Sequence, residues 1–225
     1  MTSRTLLLSL VTVLLMAGCA SKTKVVRAPV PPRVDLRAYP TVGLVSFSSN
    51  AKGELDRLGT ERFLRAVQDA QPGTRVIELG SEAQVLASVG RQAWDATALR
   101  ALRESRGVDV ILLGRLDVER VKPEFELSTV IKKLSVRSDV NTSLSVKLME
   151  TGTGATMWTD AGQLTATVSH ASFNNRGEGH FGATDPDAAY GEMIDGLVWQ
   201  VTDDFRTHYV SRRVPRDQVT VATVE

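Results

Sequence analysis

VDVILLGRL, residues 108–116, is a nearly continuous run of apolar β-forming residues. Strands in the middle of a sheet have this composition when both faces of the sheet are covered and neither meets water. A helical pattern precedes the run over residues 95–106, with Asp95 as its N-cap and Gly107 as its stop. The sequence therefore predicts that residues 108–116 form the central strand of a sheet covered by helices.

Upstream of this strand, two strand-helix pairs are predicted. Residues 41–48 (TVGLVSFS) form a β-branched run, and from Glu54 the apolar residues recur at helical spacing until Gln71-Pro72-Gly73 stops the helix. Residues 74–79 follow as a second strand, and residues 81–89 as a short helix with Ser81 as its N-cap.

Downstream, the pattern changes to alternation. From Ser143 to Leu148 apolar and polar residues alternate, so one side of this strand should meet water. A Thr-Gly-Thr-Gly turn at residues 151–154 leads into a second alternating strand, which predicts an antiparallel hairpin. A long helix then begins with Asp185 as cap and Pro186 at its first position. Its apolar stripe consists of Met193, Ile194, Leu197, Val198, Val201 and Phe205.

The element order is β-α-β-α-α-β-β-β-α, which predicts a single α/β domain (α+β, with a mixed sheet) over residues 41–209. An apolar content of 42% and a charged content of 24% are ordinary for a globular chain of 225 residues. The 27 Lys and Arg against 26 Asp and Glu give no basic excess for a nucleic-acid groove. Three His and one Cys exclude an internal disulfide and a Cys-rich metal site.

The first 18 residues are typical of a signal peptide. Arg4 supplies the positive end, and the apolar run of residues 6–17 is too short to span a hydrocarbon core of about 30 Å. Leu15-Met16-Ala17-Gly18-Cys19 then resembles the lipobox of bacterial lipoproteins, which implies cleavage between Gly18 and Cys19 and acylation, including palmitate, on the Cys19 sulfur. The alternative is a plain secretory signal with an incidental Cys.

Residues 19–40 carry the lipidated Cys and a Pro-rich stretch, which predicts an extended tether. In lipoproteins of this kind an Asp after the Cys favours retention in the inner membrane. Here Ala20 follows, so the resemblance implies the periplasmic side of the outer membrane. Residues 210–225 are predicted to be a polar C-terminal tail.

Three stretches of the domain carry a family resemblance: residues 42–47 (VGLVSF), residues 109–114 (DVILLG) and residues 148–158 (LMETGTGATMW). In this order they resemble the periplasmic lipoprotein domain shared by CsgG, of curli secretion, and LpoB, an activator of penicillin-binding proteins. The likeness covers about residues 41–206 and implies a fold and a compartment, not an activity.

Residues 117–142 leave two interpretations open. Their alternating pattern fits a hairpin with a basic turn at Lys132-Lys133, which would serve either as a soluble flap or as a membrane hairpin like that of the CsgG pore. The candidate strands have about seven residues, shorter than the about 9–11 that a membrane strand needs, so the flap is favoured. An exposed edge from Leu127 to Val136 is the predicted docking surface.

No catalytic, cofactor or metal site is predicted. Glu178, His180, Asp185 and Asp187 gather around a Gly-rich loop, but their spacing matches no known ligand set. His170 and His208 are isolated, and the chain has neither a Gly-x-Ser-x-Gly turn nor a phosphate-binding Gly motif.

The sequence therefore predicts a non-catalytic lipoprotein of the outer membrane. It would bind another envelope protein, such as a cell-wall synthase, as an accessory or regulator of envelope assembly. The alternative is a subunit of a CsgG-like oligomeric secretion channel, and an unrecognised hydrolase is a third hypothesis. No nucleic acid is expected as a partner.

Replacing Cys19 with Ser should release the protein into the soluble periplasmic fraction and abolish its labelling by radioactive palmitate, because the acylated thiol is lost. Fractionation of the envelope measures the first effect. A variant as firmly membrane-bound as the parent would show that lipid is not the principal anchor.

Overall fold

A computed structural model describes residues 23–50, 54–120, 124–128, 133–173, 179–182 and 186–215. The chain divides into two compact units. One spans Pro32–Arg206, and the other combines Met1–Pro31 with Thr207–Glu225.

The described residues form ten strands and four α-helices. The strands are β1 Thr23–Val30, β2 Val42–Ser46, β3 Ser48–Ser49, β4 Val76–Ser81, β5 Val110–Arg120, β6 Glu124–Ser128, β7 Lys133–Glu150, β8 Thr156–Phe173, β9 Gly179–Gly182 and β10 His208–Pro215. The helices are α1 Leu55–Ala70, α2 Glu82–Ser88, α3 Ala96–Arg106 and α4 Pro186–Val201. None of the helices in this part of the chain combines the length and the apolar character that a membrane crossing requires.

The main sheet of Pro32–Arg206 has the strand order β4-β2-β5-β7-β8-β9, with β3 paired to β5 and β6 paired to β7. β2 runs parallel to β4 and β5, whereas β5, β7, β8 and β9 pair antiparallel in turn. The predicted mixed sheet and the hairpin around residues 151–154 are both confirmed.

Two apolar clusters lie on opposite faces of this sheet. On one face α1 and α4 pack through residues such as Phe63 and Leu197. On the other face α2 and α3 pack through Val85, Leu99 and Leu102. The second layer is short, since its helices have seven and eleven residues. It therefore covers only the first part of its face.

The prediction that residues 108–116 are buried on both faces holds for only part of that run. Val110, Ile111 and Leu112 are buried, but Arg115 is exposed. The cause is the short layer of α2 and α3, which leaves the far half of β5 uncovered on one side.

The predicted helix ends are confirmed where the structure describes them. Ser81 forms a capping box with Gln84, and the Asp95 side chain accepts a hydrogen bond from the backbone of Ala98. Gly107 ends α3 with a φ of 64°, in the left-handed region that glycine adopts at little cost.

The apolar stripe predicted for the final helix is also buried. Its final residue, Phe205, lies outside α4, which ends at Val201. A 3-10 turn over Asp203–Phe205 places the Phe205 ring in the core.

The two ends of the chain differ from the sequence interpretation as tether and polar tail. β1 pairs antiparallel with β10 over eight residues, from Thr23 opposite Pro215 to Val30 opposite His208. In the other unit, Leu36 is fully buried in the core, although residues 32–40 were assigned to the tether. Local composition could not reveal a pairing between segments separated by most of the chain.

A buried amide connects the two ends of the Pro32–Arg206 unit. Gln71, the C-cap of α1, is 1% exposed. Its Oε1 accepts a hydrogen bond from the backbone of Leu36 at 2.7 Å, and its Nε2 donates to the carbonyl oxygens of Val34 at 2.5 Å and Phe205 at 2.9 Å. The side chain thus satisfies backbone groups at both ends of the unit.

Replacing Gln71 with Leu should lower the free energy of unfolding by roughly 3 kcal/mol, because three backbone groups would lose their partner in or near the core. Urea denaturation measures the change. Gln68→Leu, at an exposed position of the same helix, is the matched control and should have little effect. Equal midpoints for the two variants would contradict the proposed clamp.

Candidate functional site

Gly18 and Cys19, the predicted cleavage and lipidation site, lie outside the described residues, and the anchor stays a prediction. The same holds for Glu178 and Asp185 of the Gly-rich loop. His180 lies in β9 and Asp187 in α4. His170 lies in β8 and His208 in β10. Among the described residues, no group of three or more His, Cys, Asp and Glu side chains is placed to hold a metal ion.

The predicted hairpin within residues 117–142 exists, and its two strands are β6 and β7. Phe125 lies opposite Val136, and Leu127 lies opposite Leu134. The predicted edge from Leu127 to Val136 needs a correction, however. Leu134 and Val136 belong to a part of β7 that pairs with β6 on one side and β8 on the other, so β6 is the outer strand of this hairpin.

The uncovered half of the sheet carries polar side chains on the face that α2 and α3 leave open. β5 contributes Arg115 and Asp117, and β7 contributes Ser143, Ser145 and Lys147. All five are half-buried or exposed. The alternation in residues 143–148 predicted this wet side. It did not predict that β5 would place two charges beside it.

A cavity of about 210 Å³ lies where the α2–α3 layer ends and this open face begins. Val45 and Leu113 contribute apolar surface, and the indole of Trp94 is a further apolar element of the lining. Its polar lining comprises the hydroxyl groups of Ser46, Ser48 and Ser145, the cations Arg115 and Lys147, and the carboxylate of Glu82.

The guanidinium of Arg115 is held in place by its neighbour on the strand. Its Nε donates to both carboxylate oxygens of Asp117, at 3.0 and 2.9 Å. This hydrogen bond, and then the charge of Asp117, raise the pKa of Arg115 above its ordinary value. Arg115 is therefore a permanent positive charge at the rim of the cavity.

Trp94 brings an unusual polar atom to the same cavity. Its Nε1 is buried and has no hydrogen-bond partner in the described part of the chain. An indole N–H is a donor only, and a buried donor without an acceptor is costly. A ligand or a bound water that accepts a hydrogen bond from Nε1 would remove this cost.

A second cavity, of about 290 Å³, lies farther along the strands. Its lining includes the carboxylates of Asp117 and Glu119 and the amides of Asn50, Asn141 and Gln163. The side chain of Asn50 bonds both backbone groups of Val118, with its Oδ1 accepting at 2.8 Å and its Nδ2 donating at 3.3 Å. This cavity is polar and acidic, in contrast to the first.

A separate surface feature lies on α4. Trp199 is 64% exposed, although Trp is mostly buried in folded proteins. The guanidinium of Arg206 lies over its ring, with Cζ at 3.5 Å from the centroid. Arg206 also donates to the Trp199 carbonyl at 3.0 Å and to the Thr202 hydroxyl at 2.6 Å.

Burial lowers the pKa of Arg206, and the charge of Asp203 opposes this shift. Trp199 was not predicted as a functional residue, although its position outside the apolar stripe of the helix was an available signal.

Comparisons with known proteins give structural likenesses only, since no protein-family model and no curated protein matches the chain. A PelC dodecamer structure from Paraburkholderia phytofirmans is 11% identical, with a TM-score of 0.40, and the match covers 82% of this chain and 98% of that one. The LpoB C-terminal domain from Escherichia coli is 15% identical, with a TM-score of 0.34 and coverages of 55% and 81%.

Lipoprotein GNA1162 from Neisseria meningitidis is 14% identical, with a TM-score of 0.35 and coverages of 56% and 83%. TM-scores below 0.5 assign neither a family nor an activity to this chain. The resemblance to the CsgG and LpoB domains therefore stays an expectation from the sequence.

Proposed function

We propose that the protein is a non-catalytic lipoprotein, anchored through Cys19 on the periplasmic side of the outer membrane, that binds another envelope protein. It would act there as an accessory or regulator of envelope or cell-wall assembly. The observation that carries the binding role is the exposed Trp199 held beneath Arg206. The lipobox-like segment at residues 15–19 carries the localisation.

An exposed Trp that is already fixed in place suits protein recognition. Trp and Arg are enriched among the few residues that dominate binding energies at interfaces. Arg206 covers one face of the ring, and its bonds to the Trp199 carbonyl and the Thr202 hydroxyl hold the pair in one geometry. A partner therefore meets a large apolar surface whose conformational entropy is already reduced.

The surroundings of Trp199 provide a polar rim of the kind that protein interfaces have. Asp195, one helical turn before it, pairs with Arg62 of α1, and Asp203 pairs with Arg206 at 3.7 Å. The aspartate of each pair is exposed, and pairs of this kind near the surface contribute little to stability. They leave a central aromatic residue bordered by charges of both signs.

A subunit of an oligomeric secretion channel is the second candidate. The observation in its favour is the length of β7 and β8, which have 18 residues each and carry β6 and β9 at their far end. At about 3.3 Å per residue such strands extend for roughly 60 Å. An extended hairpin of this kind would suit contacts with neighbouring subunits.

Trp199→Ala should reduce capture of the partner at least about tenfold, because truncating a central interface Trp typically costs 2 kcal/mol or more. The measurement is a pull-down from detergent-solubilised, crosslinked envelopes with a tag after Glu225, quantified by mass spectrometry. Glu192→Ala, an exposed position on the same helix, is the matched control.

Thermal unfolding of both variants should match the parent, since neither side chain is part of the core. If Trp199→Ala captured the same proteins at the same level, the surface would have no binding role. A large ring made only of this chain would instead support the channel subunit.

A further inference from the structure

We propose that the cavity at the end of the α2–α3 layer binds the free C-terminal carboxylate of a peptide whose last residue has a small side chain. The carboxylate chemistry is inferred from the cavity itself. That an envelope protein supplies the peptide rests on the proposed function.

Several hydrogen-bond donors that line the cavity are free to bind an acceptor. The two Nη atoms of Arg115 and the ammonium group of Lys147 make no hydrogen bond with other described residues, and the buried Trp94 Nε1 has no partner among them. Ser46, Ser48 and Ser145 add hydroxyl groups that can also donate. A carboxylate is acceptor-only, so one such group could satisfy several of these donors.

The charge of the lining favours a monoanion over a dianion. Arg115 is already paired with Asp117, so Lys147 is the cation of the lining without a paired carboxylate among the described residues, and Glu82 adds a negative charge. A carboxylate brings one negative charge to Lys147, whereas a phosphate would bring about two and would be repelled more strongly by Glu82.

The volume and the apolar lining of the cavity suit a C-terminal residue with a small side chain. A volume of about 210 Å³ is smaller than the about 300–1,000 Å³ of sites that enclose a whole drug-sized ligand. Val45, Leu113 and the Trp94 ring provide apolar surface for one small side chain beside the carboxylate.

The second cavity adds a sequence preference to the peptide. Arg115 and Ser145 line the first cavity, and the next same-face residues of their strands, Asp117 and Ser143, line the second. Same-face neighbours on a strand are about 7 Å apart, which an extended peptide covers with about two residues. The carboxylates of Asp117 and Glu119 would therefore face the residue two positions before the C-terminus and favour Lys or Arg there.

Fluorescence anisotropy on the full-length protein in detergent tests this site. The probe is N-terminally fluorescein-labelled Ala-Lys-Ala-Ala with a free carboxylate, for which we expect a Kd below about 1 mM. Its C-terminal amide should bind at least about tenfold more weakly, because charge-assisted hydrogen bonds are lost. Replacing the peptide's Lys with Glu should weaken binding further.

Three variants of the protein and a matched control locate the site. Lys147→Met and Arg115→Gln should each weaken binding about fivefold or more, and Trp94→Phe, which keeps an aromatic ring but removes the N–H, should weaken it about fivefold. Arg65→Gln makes the same change of charge at an exposed position of α1 and should leave binding unchanged.

A probe that ends in D-alanyl-D-alanine separates the two sources of such a carboxylate. Preference for the all-L peptide indicates a protein C-terminus, whereas preference for the D-residues indicates a cell-wall stem peptide and overturns the assignment to a protein partner.

Equal affinity for acid and amide, or no binding of either, would overturn the carboxylate site. The proposed function would survive that result if capture still depended on Trp199. Conversely, peptide binding without Trp199-dependent capture would leave the cavity assignment intact and remove the docking role of α4.

Discussion

The short reach of the α2–α3 layer is the constraint on which the candidate site depends. Its apolar side chains cover one face of the sheet as far as Val45, Ile111 and Leu113, and beyond that line the same face turns to Arg115 and Lys147. Burying these charges without partners would be costly, so the face stays open where they begin. Both cavities lie on this open part, and the opposite face, packed by α1 and α4, supports them from behind.

Several close contacts fix the packing on this opposite face. The Phe47 ring lies directly over Gly114, where an added Cβ would come within 2.3 Å of it. The same ring packs on Phe63 with centroids 5.2 Å apart, and Phe63 packs in turn on Phe205. This line of rings joins the segment between β2 and β3, helix α1 and the end of the unit, and Gln71 connects the same end to Leu36. Phe47 and Gly114 end the two strand motifs of residues 42–47 and 109–114. They are therefore packing partners, and their roles are structural.

Some residues of the candidate site could be predicted from the sequence, and others could not. The alternation of residues 143–148 marked Ser143, Ser145 and Lys147 as a solvent-facing row, and the structure confirms it. Trp94 lies in a loop before α3 without any periodic pattern, and nothing local indicated that its Nε1 would be buried beside Lys147. Trp199 lay outside a recognised stripe, but only the fold places Arg206 over its ring.

The sequence by itself determined the features that depend on local chemistry. These are the helix ends at Ser81, Asp95 and Gly107, the Thr-Gly turn of the hairpin, and the fold class, because capping and periodicity act over a few residues. Tertiary structure alone decided the pairing of β1 with β10, the burial of Leu36 and the contacts of Gln71. It also decided which polar residues share a cavity. These features join segments far apart in the chain, and their free energy comes from contacts that no local pattern encodes.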